Sequence, residues 1–352
     1  MLRRDYLLKS LSAGTALATG AMPRLAMAQG RPLTFTSWGG ALSEAEKNAF
    51  TAPFGRLKGI NVINTSPTET AKIKAMVQAK NVEWDVVTVG GATAWLGQRE
   101  GFLEALDYSK IPNAKDLEPS WIAPTGLATS TGATIIGWST KAFPANAGPQ
   151  SWADFWDVKR FPGRRGLYTN LSYNYEAALL AAGVARNEVY PVTPEKIEIV
   201  FAKLAEIKPH VAVWWGAGAQ PPQLLSTGEL AISSVWNGRA LAAVADGAPL
   251  AFTYRDGISW GNWWVIPKGS PNLALAHELI NYALSDEAQT RLLPLRTYGP
   301  VVKSAAAKAE AEGQKIQVMS PDNVRNMVIL NEQEADKYTS TYFERFTKFK
   351  VG

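Results

Sequence analysis

Trp236-Asn237-Gly238-Arg239, followed by Trp260-Gly261-Asn262, gathers two indoles, a guanidinium and a carboxamide where the hydrophobic pattern changes period. Arginine carries a planar fork of donors that matches a carboxylate in two-pronged fashion. Indole faces give flat apolar contact and attract a cationic head through the ring quadrupole. Taken singly, each residue is more often structural. A tryptophan at a strand end usually packs, and an arginine in the first turn of a helix is solvated and opposes the helix dipole. The clustering is what favours a binding role.

The elements around these residues place them. Leu230–Val235 is an apolar run of strand length, and an Ala-rich helical pattern begins after Arg239. Asp246-Gly247 is a turn, and Leu250–Tyr254 and Trp260–Ile266 read as two further strands. Trp236 and Arg239 therefore stand where a strand hands over to a helix, the edge at which open α/β sheets bind ligands. Near the other end of the chain the same grammar recurs. A strand at Pro32–Ser37 ends in Trp38-Gly39-Gly40, and a strand at Asp85–Val89 ends in Gly90-Gly91-Ala92. Each is followed by a helical pattern, the first with Ser43-Glu44-Ala45-Glu46 as a capping box. Strand, paired glycines and helix, twice over, is the pattern of a parallel sheet with a cleft along one edge. Neither turn spells a dinucleotide or Walker phosphate loop. Gly132–Trp138 is a further strand, Ser151 caps a helix, Tyr173–Ala182 is helical, another helix starts at Thr193-Pro194-Glu195 with Pro209 as its stop, and Ala305–Phe349 is mostly helical and charged.

Composition removes several function classes. The chain has 352 residues, enough for two lobes, and no cysteine, so disulfides, thiolate metal sites and cysteine nucleophiles are excluded. Its two histidines, His210 in a loop and His277 on a polar helix face, cannot build a His-rich metal site. No Gly-x-Ser-x-Gly elbow is present, and Glu104 and Asp107 read as surface neighbours, so no catalytic residue, metal ligand or cofactor is assigned and the chain reads as no enzyme. Of the formal charge of +5, Arg3, Arg4, Lys9 and Arg24 against Asp5 put +3 in the first 28 residues. The remainder is no nucleic-acid footprint, and Arg164-Arg165 reads as a solvated basic spot. Met1–Ala28 is a targeting segment. Arg3-Arg4, a weakly apolar Ser10–Met22 and the small-x-small stretch Ala26-Met27-Ala28 resemble a twin-arginine export signal, which implies a periplasmic mature chain.

Several stretches together resemble the periplasmic solute-binding proteins of ABC uptake systems, in particular the spermidine/putrescine-binding group. They are Trp38 after the first strand, Asp85-Val86-Val87, Thr131-Gly132-Ala133-Thr134, Ser151-Trp152-Ala153-Asp154-Phe155-Trp156, Gly228-Glu229, Val235-Trp236-Asn237-Gly238, Ile266-Pro267-Lys268-Gly269 and Ala276–Leu284 with Ser285-Asp286-Glu287. The resemblance implies an α/β, two-lobed periplasmic binding protein fold. Each lobe would be a mainly parallel sheet with flanking helices, and two crossover strands, near Gly137–Lys141 and Arg255–Asn262, would join them. Lobe 1 would comprise residues 29–138 plus 263–305, and lobe 2 residues 139–262 plus 306–352. Hinge closure would trap a small-molecule ligand for the membrane permease subunits, with the protein acting as a monomer. Ser37, Trp38 and Thr88 would line the cleft from one lobe, Tyr173, Trp236 and Arg239 from the other, and Trp260 and Asn262 at the hinge.

Two departures bear on the ligand. Polyamine binders of this group hold ammonium groups with acidic residues. Here Thr169–Glu176 offers only Glu176, and Asn262 stands where an acid is expected. A bare dication enclosed without carboxylates would be costly to desolvate, and Arg239 would repel it. A zwitterion of the amino-acid type, such as 4-aminobutyrate, or an organic acid with a carboxylate is the expected ligand. A polyamine is the alternative. A ferric ion held by Tyr173 and Tyr175 is a third, for which no His or carboxylate set is apparent.

Overall fold

In this computed structural model, which describes residues 31–295, 298–311, 318 and 320–352, the strands are β1 (Leu33–Thr36), β2 (Val62–Thr65), β3 (Val86–Gly90), β4 (Ile122–Ala123), β5 (Gly126–Ser139), β6 (Arg165–Tyr168), β7 (Val211–Trp215), β8 (Ile232–Trp236), β9 (Leu250–Val265) and β10 (Val328–Ile329). They join in the order β2-β1-β3-β9-β5-β8-β6-β7, with β4 beside β5 and β10 beside β9. β1, β2 and β3 are mutually parallel, as are β6, β7 and β8. Between these two parallel sets run β5 and β9, antiparallel to each other, β5 antiparallel to β8 and β9 antiparallel to β3.

Two main apolar cores sit on either side of this central pair. The first gathers Phe35, Phe50, Val86, Leu127, Trp263 and Trp264, and the second Trp138, Trp152, Phe155, Tyr175, Leu204 and Tyr338. Leu127 and Ala128 lie in the first core and Ile136 and Trp138 in the second, so β5 passes between them at residues 129–135. That is earlier than the Gly137–Lys141 stretch expected from the resemblance. The passage of β9 lies between Ile258 in the second core and Trp263 in the first. Pro32–Gly352 forms one compact unit. The leader expected over Met1–Ala28 lies outside the described residues.

Several local readings change. The two strands expected at Leu250–Tyr254 and Trp260–Ile266 are one strand of 16 residues, carried through Asp256 in a left-handed conformation (φ +58°). Cross-strand bonding to β5 on both sides of the kink keeps the ladder together. His277 is not solvated. It is 2 % exposed, its Nε2 accepts from the Asp107 N–H at 3.0 Å, and its Nδ1 lies 2.8 Å from the Leu273 carbonyl. Arg165 is fully buried rather than solvated, donating to the Phe155, Phe161 and Gly163 carbonyls, while burial pulls its proton affinity down. Both cases have one cause: backbone N–H and C=O groups of loops and helix ends buried by packing need partners, and a nearby side chain supplies them. Ser151 and Thr193 do cap their helices, accepting from Asp154 N–H at 3.0 Å and Lys196 N–H at 3.3 Å.

Candidate functional site

The first lobe contributes the ends of β1 and β3. Beyond Thr36 the chain keeps pairing for one residue, Ser37 N–H donating to the Thr65 carbonyl at 3.0 Å. Gly39 and Gly40 then take positive φ (+86° and +62°), which turns the chain into the helix Gly40–Glu46. The expected capping box does not form. Ser43 Oγ accepts from the Gly39 N–H at 2.8 Å, and Glu46 turns inward. The Glu46 carboxyl is fully buried and receives Ser37 Oγ, Thr88 Oγ1 at 2.8 Å and Trp264 Nε1 at 2.9 Å. Burial raises its pKa to about 7 against the pull of these three donors. Ser37 and Thr88 are thus brought together, with their protons committed to Glu46. Trp38, next to Ser37 in the turn, is 45 % exposed.

The second lobe contributes the end of β8 and the helix Asn237–Ala245 that follows it. Asn237 Oδ1 accepts from the Ala133 N–H at 2.9 Å, which fastens the helix start to β5. This leaves Trp236 and Arg239 on the strand-to-helix turn. The half-buried Arg239 guanidinium has neither ion-pair nor hydrogen-bond partner among the described residues. Trp236 Nε1 is buried and also lacks an acceptor among the described residues.

Around Trp236 stands a wall of rings. Tyr168 lies 5.9 Å from it, Trp260 6.3 Å and Trp215 5.3 Å, centroid to centroid, and Tyr173 lies 5.5 Å from Tyr168 and 6.5 Å from Trp260. Trp260 is oriented by donation of Nε1 to Thr134 Oγ1 at 3.1 Å. Tyr173 is held at φ +68° as the residue before the helix Asn174–Ala181, and burial pushes its phenol well above the usual range, helped by nearby Glu332, Tyr168 and Glu176. Asn262 is 3 % exposed and donates to Ser130 Oγ at 3.0 Å, so its amide nitrogen is already engaged with β5.

Four residues that sequence reasoning did not single out belong to this neighbourhood. Tyr298, 7 % exposed, lies within electrostatic reach of both Arg239 and Glu46, and its loop is pinned by two bonds of 2.9 Å between Gly299 and Thr131. Tyr168 completes the ring wall. Glu332 is 5 % exposed and burial raises its pKa to about 8, while the N–H groups of Gly261 and Ala92 favour its charge. Glu176 had been noted only as the one acid left in its segment. It accepts from Tyr190 and Tyr338 hydroxyls at 2.7 and 2.8 Å on one oxygen, the other having no hydrogen-bond partner among the described residues, and burial raises its pKa. Glu46 was legible only as a cap. Tyr175, proposed as a ferric ligand beside Tyr173, is fully buried in the second core, with its hydroxyl on the Val189 carbonyl at 3.3 Å. The two phenols do not converge on one site.

The chain is similar to proteins of known family. Residues 47–317 match the family of bacterial extracellular solute-binding proteins. A gamma-aminobutyric acid-binding protein of Pseudomonas aeruginosa is 39% identical over 303 residues, 85% of each chain. The spermidine/putrescine-binding periplasmic protein of Escherichia coli is 26% identical over 315 residues, 85% of this chain and 87% of that one. Among solved structures, an ABC transporter substrate-binding protein from Bradyrhizobium japonicum superposes with a TM-score of 0.83 at 35% identity, over 90% of this chain and 99% of the other. Two sets of parallel strands on a shared pair of crossing strands, together with these matches, make the chain a member of the bacterial extracellular solute-binding proteins, the substrate-binding component of an ABC uptake system for a small polar solute.

Proposed function

We propose that the protein captures a small amino-acid-type zwitterion in the periplasm, acting as a monomer, and delivers it to the permease subunits of its importer. The observation that carries this reading is Arg239, a half-buried guanidinium with no acceptor among the described residues, on the same turn as a buried indole N–H that also lacks one. Buried donors left unpaired are costly, and an arriving carboxylate satisfies both kinds with its two oxygens. The opposite end of the ligand meets the rings of Tyr168, Tyr173, Trp236 and Trp260, which attract an ammonium. Behind Tyr173 lie Glu176 and Glu332, whose proton affinity an ammonium would lower, restoring their charge. Ser37 and Thr88 order the floor through Glu46, and Trp38 and Asn262 border it. The ligand named for the Pseudomonas relative, gamma-aminobutyric acid, carries both charges.

The leader would use the twin-arginine route and be cut after Ala28, leaving Gln29 first, which an intact mass from a periplasmic extract checks. The ligand reading is tested by calorimetry with 4-aminobutyrate, butyrate and 1,4-diaminobutane. The expected result is binding of 4-aminobutyrate well ahead of either analogue. Tight 1,4-diaminobutane binding with none of 4-aminobutyrate would replace it with the polyamine reading.

A further inference from the structure

We infer that Gly40 is a positioning residue for Arg239: the first lobe omits a side chain at Gly40 so that the guanidinium from the second lobe lies against bare backbone, with its donor fork set for the carboxylate. The inference rests on the ligand reading above. A Cβ at Gly40 would stand 2.7 Å from Arg239 Nη1, 3.1 Å from Nη2 and 3.3 Å from Cζ. Non-bonded heavy atoms sit comfortably only at about 3.5 Å or more. All three near atoms belong to the fork itself, so any side chain at Gly40 competes for the space the fork occupies.

The two residues come from equivalent places. Gly40 follows the turn after β1 and Arg239 the turn after β8, so the contact crosses from one lobe to the other. No hydrogen bond or ion pair among the described residues anchors the guanidinium. Its place is therefore set by shape. Because it ends a flexible arm, crowding at Gly40 moves the fork more readily than the turn. A two-pronged contact depends on the direction of both N–H groups, so a small displacement removes much of its strength.

Gly40 also has a backbone reason to be glycine, its φ of +62°, and Gly59 separates the two effects. Gly59 has φ +65° and no atom within 4 Å of a Cβ built on it. Alanine at Gly59 thus meets the same backbone cost without a neighbour.

The experiment is calorimetric titration of 4-aminobutyrate into wild type, Gly40→Ala, Gly59→Ala, Arg239→Ala and the Gly40→Ala/Arg239→Ala double variant, with thermal midpoints recorded for each. Gly40→Ala and Gly59→Ala are expected to melt alike. Gly59→Ala should bind as wild type does, and Gly40→Ala about tenfold more weakly or worse. In the Arg239→Ala background, Gly40→Ala should bring no further loss. Wild-type affinity in Gly40→Ala overturns the inference, and so does a full additional loss in the double variant. Failure of the ligand reading shows separately, in wild type alone, as 1,4-diaminobutane binding without 4-aminobutyrate binding, and the inference falls with it.

Discussion

Arg99 pairs with Asp336 through both guanidinium nitrogens, Nη1 on one carboxylate oxygen and Nη2 on the other. Arg99 belongs to the helix Gly91–Glu100, which begins where β3 ends in the first lobe. Asp336 belongs to the helix Glu332–Thr341, whose Ala335 and Tyr338 lie in the second core. The pair therefore ties the lobes together outside the two crossing strands.

The two halves of this pair should not be equally costly to remove. The Asp336 side chain is 6% exposed and that of Arg99 50%. Arg99→Ala strands a nearly buried carboxylate, whereas Asp336→Ala leaves a guanidinium that water can reach. Urea unfolding should show a loss of about 1–3 kcal/mol for the first and distinctly less for the second. The reverse order would mean that Asp336 is solvated in solution.

Arg239→Ala should lower affinity for 4-aminobutyrate by about 2–5 kcal/mol, the usual cost of truncating one member of a buried, hydrogen-bonded charge pair. Arg239→Lys should not restore it, because an ammonium cannot make the two-pronged contact. Asn262→Asp should shift preference toward ligands with an ammonium near the hinge. Calorimetry reads all three, and full-strength binding by Arg239→Ala would return that residue to the helix surface.

Tyr298 offers a milder test. Its hydroxyl has no hydrogen-bond partner among the described residues, although it lies near both Arg239 and Glu46. If it donates to the bound carboxylate, Tyr298→Phe should weaken binding by about 1.5–3 kcal/mol without lowering the thermal midpoint of the free protein. An unchanged affinity would make the ring, not the hydroxyl, the useful part.

Stability should fall as pH rises through neutrality. Glu46 and Glu332 have pKa values raised from 4.5 to about 7 and about 8 in the folded protein. The folded state therefore holds more protons than the unfolded state between about pH 4.5 and 8. Folding stability is full below the lower value and is lost as pH climbs toward the upper ones. Urea midpoints in steps from pH 5 to 9 should decline, and Glu46→Gln should flatten the earlier part of that decline. A midpoint rising over this range would show that both carboxyls are already ionised.

Much of this was legible in the chain and some was not, for physical reasons. The β-Gly-Gly-α turns and the Trp236–Arg239 handover were readable because period changes and glycines are local signals. Glu46 was misread because Ser43 and Glu46 have the spacing of a capping box, while the partners that turn the carboxyl inward, Thr88 and Trp264, are far away in sequence. His277 and Arg165 were misread alike, since a polar residue buried by distant packing looks locally like one in water. Tyr298 lies in a loop whose anchor, Thr131, is far away in sequence. Gly39 and Gly40 announced a turn, but not the guanidinium that rests on it.

The strand β9 runs unbroken for 16 residues through both lobes, bonded to β5 along most of its length. Lobes joined this way cannot swing on slack tethers. Opening has to wring the two-strand ribbon, and the ribbon is softest where its register slips, at Ala128/Ser130 and Thr134/Ile136. The molecule thus behaves as a torsion bar clamped at both ends. A bar of that kind would resist departure from its resting angle, and a twist applied to the ribbon from outside would reach the cleft without any contact there.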